Sequence, residues 1–312
     1  YLVSIQQSKQ STVYDYTMPK LDFGSGKYLI TGSITQATSS ADSAQGLCVI
    51  GDGAILNGGS GTFNFFEFRT GCDLYGLSFQ GGGRAFYLQT GNSDSAKFNI
   101  ENCTFQNQTV ELFCSDTNSD STILNVIGCK LYQVNGLPTS KMMATLQVET
   151  FNLKNNWIYY GGTGSAFYLT CTTANIEGNL FVPNYLLASS TQRSWFYNSK
   201  SLNLLGNRFG AEAGGCTVIE HYGDYSAGTT EMNVVVKNNM IYSANTSAFK
   251  MYKLPSQLVI QDNAGYDLTP SIVDFDSGIT AAMIDAAFRR GSFIVTDVTT
   301  REPQIKIGRA HV

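Results

Sequence analysis

The sequence predicts an all-β protein, a parallel β-helix of about nine coils with a short cap at each end. Composition, a repeated eight-residue pattern and a second set of alternating apolar segments predict it. Only 14% of the 312 residues are charged, and the chain has 31 Gly, 19 Phe and 17 Tyr. A typical soluble domain is about 25% charged. The low charge and the many aromatic residues exclude a coiled coil and a charged disordered tail.

The repeated pattern is apolar–x–apolar–x–(Asn or Gly)–(Asn or Cys)–x–apolar. Alternating apolar residues predict a short strand, and Asn or Gly then supplies a bend. A coil of about 25 residues with no room for a helix suits a parallel β-helix, in which coils stack about 4.8 Å apart. Nine copies, 23 to 32 residues apart, begin at Cys48, Cys72, Phe98, Leu124, Phe151, Ala174, Leu202, Val234 and Leu258.

Stacking the copies predicts two ladders of Asn side chains. An inward ladder satisfies its buried amides by hydrogen bonds from coil to coil, and Cys is small enough to continue it. The outward ladder is interpreted as a polar stripe, or alternatively as a face for another subunit or a sugar. The inward ladder comprises Cys103, Cys129, Asn156, Asn179, Asn207, Asn239 and Asn263, and the outward one Asn99, Asn125, Asn152, Asn175 and Asn203.

The seven Cys contain no CxxC pair, so the sequence supports neither a zinc ribbon nor a redox motif. Buried free thiols are the preferred interpretation. Cys48 and Cys72 are expected to stack at the first inward position of their coils. Neighbouring coils lie within disulfide range, so a bond between these two remains open.

A second strand precedes most copies by about a dozen residues, and its apolar members alternate. These strands are expected within 65–70, 85–90, 110–116, 144–150, 166–171, 194–199, 218–223 and 248–253. Tyr beside Glu and Gln on their outward side suits a glycan groove, although exposed Tyr is also ordinary on a β-sheet. The candidate substrate-binding residues are Tyr87, Gln147, Tyr168, Tyr197, His221, Tyr222 and Tyr252.

Five carboxylates are candidates for catalysis, because glycosidases use two carboxyl groups about 5–9.5 Å apart. Glu149 is expected one coil from the outward-pointing segment that holds Glu111 and Asp116. Glu220 and Asp224 flank His221 just before the longest step of the repeat, 32 residues. A lyase would instead need a base and a cation, which His221, Tyr222, Lys250 and Lys253 could supply.

The two ends of the chain depart from the repeat. Residues 1–46 are expected to form an N-terminal cap and loop, 47–265 the β-helix, and 266–312 a C-terminal cap or trimerisation segment. Within the last part, Thr280–Arg290 has helical spacing and Phe293–Val298 has the pattern of a strand. Such caps stop a repeat stack from growing end to end.

The segment 20–56 reads KLDFGSGKYLITGSIT and then GLCVIGDGAILNG. With the Asn- and Gly-rich coils that follow, it resembles the right-handed, single-stranded β-helices of the pectate-lyase type, and phage tailspikes in particular. The resemblance covers roughly residues 20–265. It implies a homotrimer in the virion tail that binds bacterial surface polysaccharide (O-antigen or capsule), often with cleavage. Pectate lyase and polygalacturonase signature residues are not evident, so the resemblance assigns no catalytic residue.

The predicted function is therefore a tailspike-like depolymerase that hydrolyses bacterial surface polysaccharide. A non-enzymatic receptor-binding or structural β-helix and a polysaccharide lyase are the alternatives. No cofactor or metal is expected. The 20 basic and 24 acidic residues form no nucleic-acid footprint, and no apolar run reaches the roughly 18 residues of a membrane helix.

Overall fold

The computed structural model describes most of the chain. The described residues are 20–35, 46–68, 71–88, 96–115, 122–133, 141–160, 165–183, 194–197, 200–210, 219–223, 232–244, 249–268 and 273–299. They form a parallel β-helix, as the repeat predicts. Each coil contributes strands to three parallel ladders, which we call the first, second and third sheets.

The first sheet contains the strands of the repeated pattern. Each pairs in parallel with the strand one coil earlier and one coil later. Its strands are β1 (Lys20–Asp22), β4 (Leu47–Ile50), β7 (Cys72–Tyr75), β10 (Lys97–Glu101), β13 (Ile123–Ile127), the ends of β15 (Lys141–Lys154) and β17 (Ser165–Glu177), β20 (Ser201–Leu205), β23 (Asn233–Lys237), the start of β26 (Gln257–Leu268), and β28 (Phe293–Thr299).

The second sheet follows the bend of each coil. It consists of β2 (Lys27–Leu29), β5 (Ile55–Gly59), β8 (Ser78–Gly81), β11 (Thr104–Gln106), β14 (Lys130–Gln133), β16 (Trp157–Tyr160), β18 (Leu180–Pro183), β21 (Arg208–Phe209), β24 (Met240–Ala244) and the end of β26.

The third sheet holds the segments expected to form the outward glycan face. It consists of β3 (Ile34–Thr35), β6 (Asn64–Phe68), β9 (Arg84–Leu88), β12 (Phe113–Ser115), the starts of β15 and β17, β19 (Ser194–Tyr197), β22 (Ile219–Gly223), β25 (Phe249–Met251) and β27 (Val273–Phe275). Each of the eight predicted segments contains part of a strand of this sheet.

The coil count differs from the nine predicted. The first sheet has eleven strands, two more than the nine copies of the repeat. The first sheet extends past both ends of the repeat, because β1 pairs with β4 and β28 pairs with β26. Neither end strand carries the full eight-residue pattern, so counting the pattern misses both.

Phenylalanine fills the interior of the N-terminal coils. Phe79 stacks on Phe105 with ring centroids 5.0 Å apart, and Phe86 stacks on Phe113 at 4.1 Å. Phe105 also meets Phe113 edge to face at 4.9 Å. All four rings are fully buried. Because one coil buries little by itself, these ring contacts between coils provide much of the apolar burial.

The inward Asn ladder forms as predicted. Asn179 Oδ1 accepts from both the backbone N–H and the side-chain amide of Asn156, each at 2.9 Å. Its own amide donates to Leu153 O at 2.8 Å and to Asn207 Oδ1 at 3.0 Å. The same arrangement continues to Asn263, and Cys129 N–H donates to Asn156 at its start. Each buried amide is thereby fully paired.

The outward Asn ladder also forms, and its donors point the opposite way along the helix. Asn203 donates to Asn175, and the chain of side-chain bonds continues through Asn152 and Asn125 to Asn99, at 2.7–2.8 Å. The two ladders therefore place their amide dipoles in opposing directions along the axis.

The predicted stack of Cys48 on Cys72 is wrong. Leu47 pairs with Cys72, and Cys48 pairs with Asp73. Leu47 and Val49 take the inward positions of β4, which leaves Cys48 partly exposed on the outer side. The first copy is thus shifted by one residue, and one residue exchanges the two faces of a strand. Both cysteines are free thiols.

The C-terminal helix and strand appear where they are predicted. Helix α1 (Ala281–Arg289) begins after Thr280, whose hydroxyl accepts from the backbone N–H of Met283. Ile284 and Ala287 are buried from its inner face. These two residues belong to the hydrophobic core, and strand β28 after the helix adds the last strand of the first sheet.

Candidate functional site

In the C-terminal half of the third sheet, five aromatic or charged residues share one backbone register. Tyr168 pairs with Trp195, Trp195 with Glu220, Glu220 with Lys250, and Lys250 with Asp274. We call these five residues the axial column. Sequence analysis singled out Tyr168 and Glu220 as site residues, and the structure places both in this column. Of Tyr168, Trp195 and Glu220 the structure describes only the backbone.

Lys250 and Asp274 lie on the outer side of their strands. Phe249 and Met251 flank Lys250 and are buried, as are the residues that flank Asp274. Lys250 Nζ lies 4.7 Å from the ring centroid of Tyr252, a cation–π contact that joins a predicted binding residue to the column. Asp274 was missed by the sequence analysis, although its strand shows the same inward–outward alternation.

The remaining predicted residues of this half fall into other registers. Gln147 pairs with Thr170, and Thr170 pairs with Tyr197, so the backbones of these two predicted residues share a second column. His221 is level with Phe196 and Met251. Of His221 the structure describes only the backbone, so its role in binding stays a prediction.

A separate polar network occupies the N-terminal part of the third sheet. Both carboxylate oxygens of Glu67 accept hydrogen bonds, one from Thr35 Oγ1 at 3.1 Å and one from Asn64 Nδ2 at 2.9 Å. Arg84 Nη1 donates to Asn64 Oδ1 at 3.4 Å, and Arg84 Nε donates to Glu111. Tyr87 is level with Glu67 and partly exposed beside this network.

The expectation that Glu111 is exposed on an open face is wrong. Glu111 is 7% exposed and forms an ion pair with Arg84. It precedes β12 in a bend, next to Val110, whose N–H donates to Gly83 O of the preceding coil. A residue in a bend does not follow the alternation of the strand, which is why the pattern misplaced this carboxylate.

Glu111 and Glu149 are not brought together as a catalytic pair. Phe113 pairs with Met143, which puts Glu111 two residues before that level and Glu149 six residues after it. About 25 Å of extended chain lies between the two levels. Glu149 is exposed in β15, and its N–H donates to Thr122 O, one coil earlier.

For three further candidate site residues the structure describes no side chain. Asp116 and Asp224 lie outside the described residues, and Tyr222 is described only by its backbone. Their proposed roles stay predictions.

A second face, on the outer side of the second sheet, was missed by the sequence analysis. Trp157 is 49% exposed there, and the rings of Tyr132 and Tyr159 stack with centroids 4.7 Å apart. Leu131 and Ile158 alternate with them and are buried. The period-two pattern of KLYQ and WIYY would have predicted this face.

Two kinds of feature are not found in the part of the chain that the structure describes. No group of three or more His, Cys, Asp or Glu side chains is arranged to hold a metal ion. No described helix has the length and hydropathy needed to span a bilayer.

Comparisons with known proteins find no match: no family model fits the chain, and neither curated proteins nor solved structures resemble it significantly.

Proposed function

We propose that the protein is a tailspike-like β-helix that binds a bacterial surface polysaccharide along its third sheet and hydrolyses it as an endo-acting depolymerase. The observation that carries this proposal is the axial column. Two aromatic residues, Tyr168 and Trp195, are followed at the same register by Glu220, Lys250 and Asp274. Fold and column together suit a linear glycan that lies along the helix axis.

The spacing of the column matches such a ligand. Successive coils lie about 4.8 Å apart, so one residue of the column meets the ligand at each short step along the axis. Aromatic rings offer apolar faces for sugar rings, while carboxylates and amines exchange hydrogen bonds with hydroxyls. An open sheet face places no limit on the length of the bound chain.

Glu220 and Asp274 are the carboxylates that suit hydrolysis. Their backbones are two coils apart, about 10 Å, and glycosidases hold their two carboxyl groups about 5–9.5 Å apart. Lys250 lies between them in the register. In this proposal one carboxylic acid protonates the leaving oxygen and the other activates water, which inverts the anomeric centre.

The test is release of reducing ends from purified O-antigens and capsular polysaccharides. We expect Glu220→Gln and Asp274→Asn each to lower the rate at least a hundredfold without loss of glycan binding. Asp52→Asn, at an exposed bend away from the third sheet, is the matched control. Wild-type rates in both column variants would contradict the assignment.

Two further readouts separate the alternatives. Retention of a polysaccharide without any cleavage would favour a non-enzymatic receptor-binding protein. Ultraviolet absorbance from an unsaturated product would reveal a lyase.

The proposal includes a homotrimer in the virion tail, for which sedimentation equilibrium should give three times the chain mass of 33.9 kDa.

A further inference from the structure

The second sheet differs from the rest of the chain in its charge. Strands β2, β5, β8, β11, β14, β16, β18, β21 and β24 contain three basic residues, Lys27, Lys130 and Arg208, and no Asp or Glu, and the end of β26 adds one acidic residue, Asp267. The chain as a whole has a net charge of −4. All three basic residues are exposed, and no described carboxylate forms an ion pair with them.

An exposed aromatic residue, Trp157, lies between two of these charges. Lys130 is level with Trp157, and Leu180 and then Arg208 follow at the same register. Arg208 is therefore two coils, about 10 Å, from Trp157. Tyr159 follows Trp157 by two residues on the same side of β16 and stacks on Tyr132.

The neighbouring column suits hydroxyl groups. Asn57, Gln80 and Gln106 occupy the register that continues into Tyr132 and Tyr159. Side-chain amides both donate and accept hydrogen bonds, and the two phenols extend the same row. A protein interface of this kind would be more apolar in its centre. A row of amides beside aromatic rings fits a sugar chain better.

We propose that this face, which we call the second-sheet platform, binds an acidic polysaccharide. Trp157 stacks on a sugar ring, Lys130 and Arg208 pair with carboxylates of the ligand, and the amide column binds its hydroxyls. The site is separate from the axial column, on a different side of each coil. It is an anchoring site and takes no part in hydrolysis.

The experiment is affinity electrophoresis of the full chain through gels that contain polygalacturonate or hyaluronan, with the carboxyl-reduced form of each polymer as the neutral counterpart. We expect retardation by at least one acidic polymer and much less by its reduced form. Added salt should weaken this retardation, because it screens exposed charges.

Variants locate the binding. Trp157→Ala should weaken retention about tenfold, and Lys130→Gln and Arg208→Gln should each weaken it several-fold and reduce its salt dependence. Lys97→Gln, an exposed lysine of the first sheet, is the matched control and should leave retention unchanged. Because all three platform side chains are exposed, their loss should not impair folding.

Three outcomes would overturn the proposal. These are no retention by either acidic polymer, equal retention by the reduced form, and platform variants that change the oligomeric mass but not the retention. The last would make the face an interface between copies. Failure here is distinguishable from failure of the proposed hydrolysis, since Trp157→Ala should keep reducing-end release and Glu220→Gln should keep retention.

Discussion

The side-chain amide of Asn99 donates to the carboxylate of Asp73, with 2.6 Å between Nδ2 and Oδ1. This bond ends the outward Asn ladder, in which the acceptors of the other bonds between coils are amide oxygens. A charged acceptor strengthens the terminal bond, and each bond in such a chain polarises the next. Asp73 therefore anchors a row of five asparagines.

Removal of that anchor should cost a small but measurable amount of stability. Asp73→Ala leaves the Asn99 amide without its acceptor, and we expect a loss of about 1 kcal/mol because water can partly replace the carboxylate. Asp73→Asn restores an acceptor and should recover most of it. Urea unfolding followed by circular dichroism measures both. Equal midpoints for Asp73→Ala and the wild type would show that the ladder has no need of an anchor.

The inward ladder should be far more sensitive than the outward one. Asn179→Ala leaves Leu153 O and two donors of Asn156 unpaired in the core, so we expect a loss of about 3–5 kcal/mol. Asn175→Ala is the matched control, since it makes the same change on the outer side of the same coil, where water reaches the partners. The two unfolding midpoints should differ clearly. Similar values would mean that burial does not govern the ladders.

Two glycines at equivalent bends should respond differently to alanine. Gly178 has φ +65° and Gly206 has φ +63°, so both substitutions incur the strain of a left-handed backbone. A Cβ on Gly178 would also collide with Asn155 Oδ1, whereas one on Gly206 meets no atom within 4 Å.

We therefore expect Gly206→Ala to cost about 1 kcal/mol and Gly178→Ala about 0.5 kcal/mol more, because the exposed Asn155 side chain must turn away from the new Cβ. Thermal unfolding of the two variants gives the comparison. A larger loss for Gly206→Ala would contradict the contact with Asn155.

Stability should fall at alkaline pH through Cys171. Burial raises the pKa of its thiol to about 12, whereas a thiol in the unfolded chain titrates near 8.5–9. The folded state therefore holds the proton more tightly. The stability that this contributes is present in full below about pH 9 and is lost as the pH rises towards 12. The expected slope is about 1.4 kcal/mol per pH unit.

Unfolding free energies of the wild type and Cys171→Ala at pH 8 and pH 11 isolate this contribution. The wild type should lose about 3 kcal/mol more than the variant over that range. A parallel loss in both proteins would show that Cys171 does not titrate in this range.

Glu111 should act in stability rather than in catalysis. Arg84→Met leaves its buried carboxylate without a charged partner, and we expect a loss of about 3 kcal/mol. The double variant Arg84→Met with Glu111→Leu should be more stable than the single one, because the unpaired charge is gone. If Glu111→Gln folds normally and abolishes reducing-end release, this interpretation fails.

Local patterns in the sequence determined much of the architecture. Alternation and bend residues predict a parallel β-helix, and the positions of Asn156 and Asn175 predict that one ladder faces inward and the other outward. The composition of Thr280–Arg290 predicts helix α1. These features depend on side-chain period and backbone preference, which neighbouring residues along the chain determine.

Only the tertiary structure decided the register between coils and the surroundings of each polar group. It paired Cys48 with Asp73, buried Glu111 beside Arg84, and brought Asp274 into line with Glu220. Residues that meet in these contacts are 25 or more positions apart, or belong to turns whose alternation is broken. The spacing within one coil cannot show which residue of the next coil lies above it, because that depends on the length and bulges of every intervening turn.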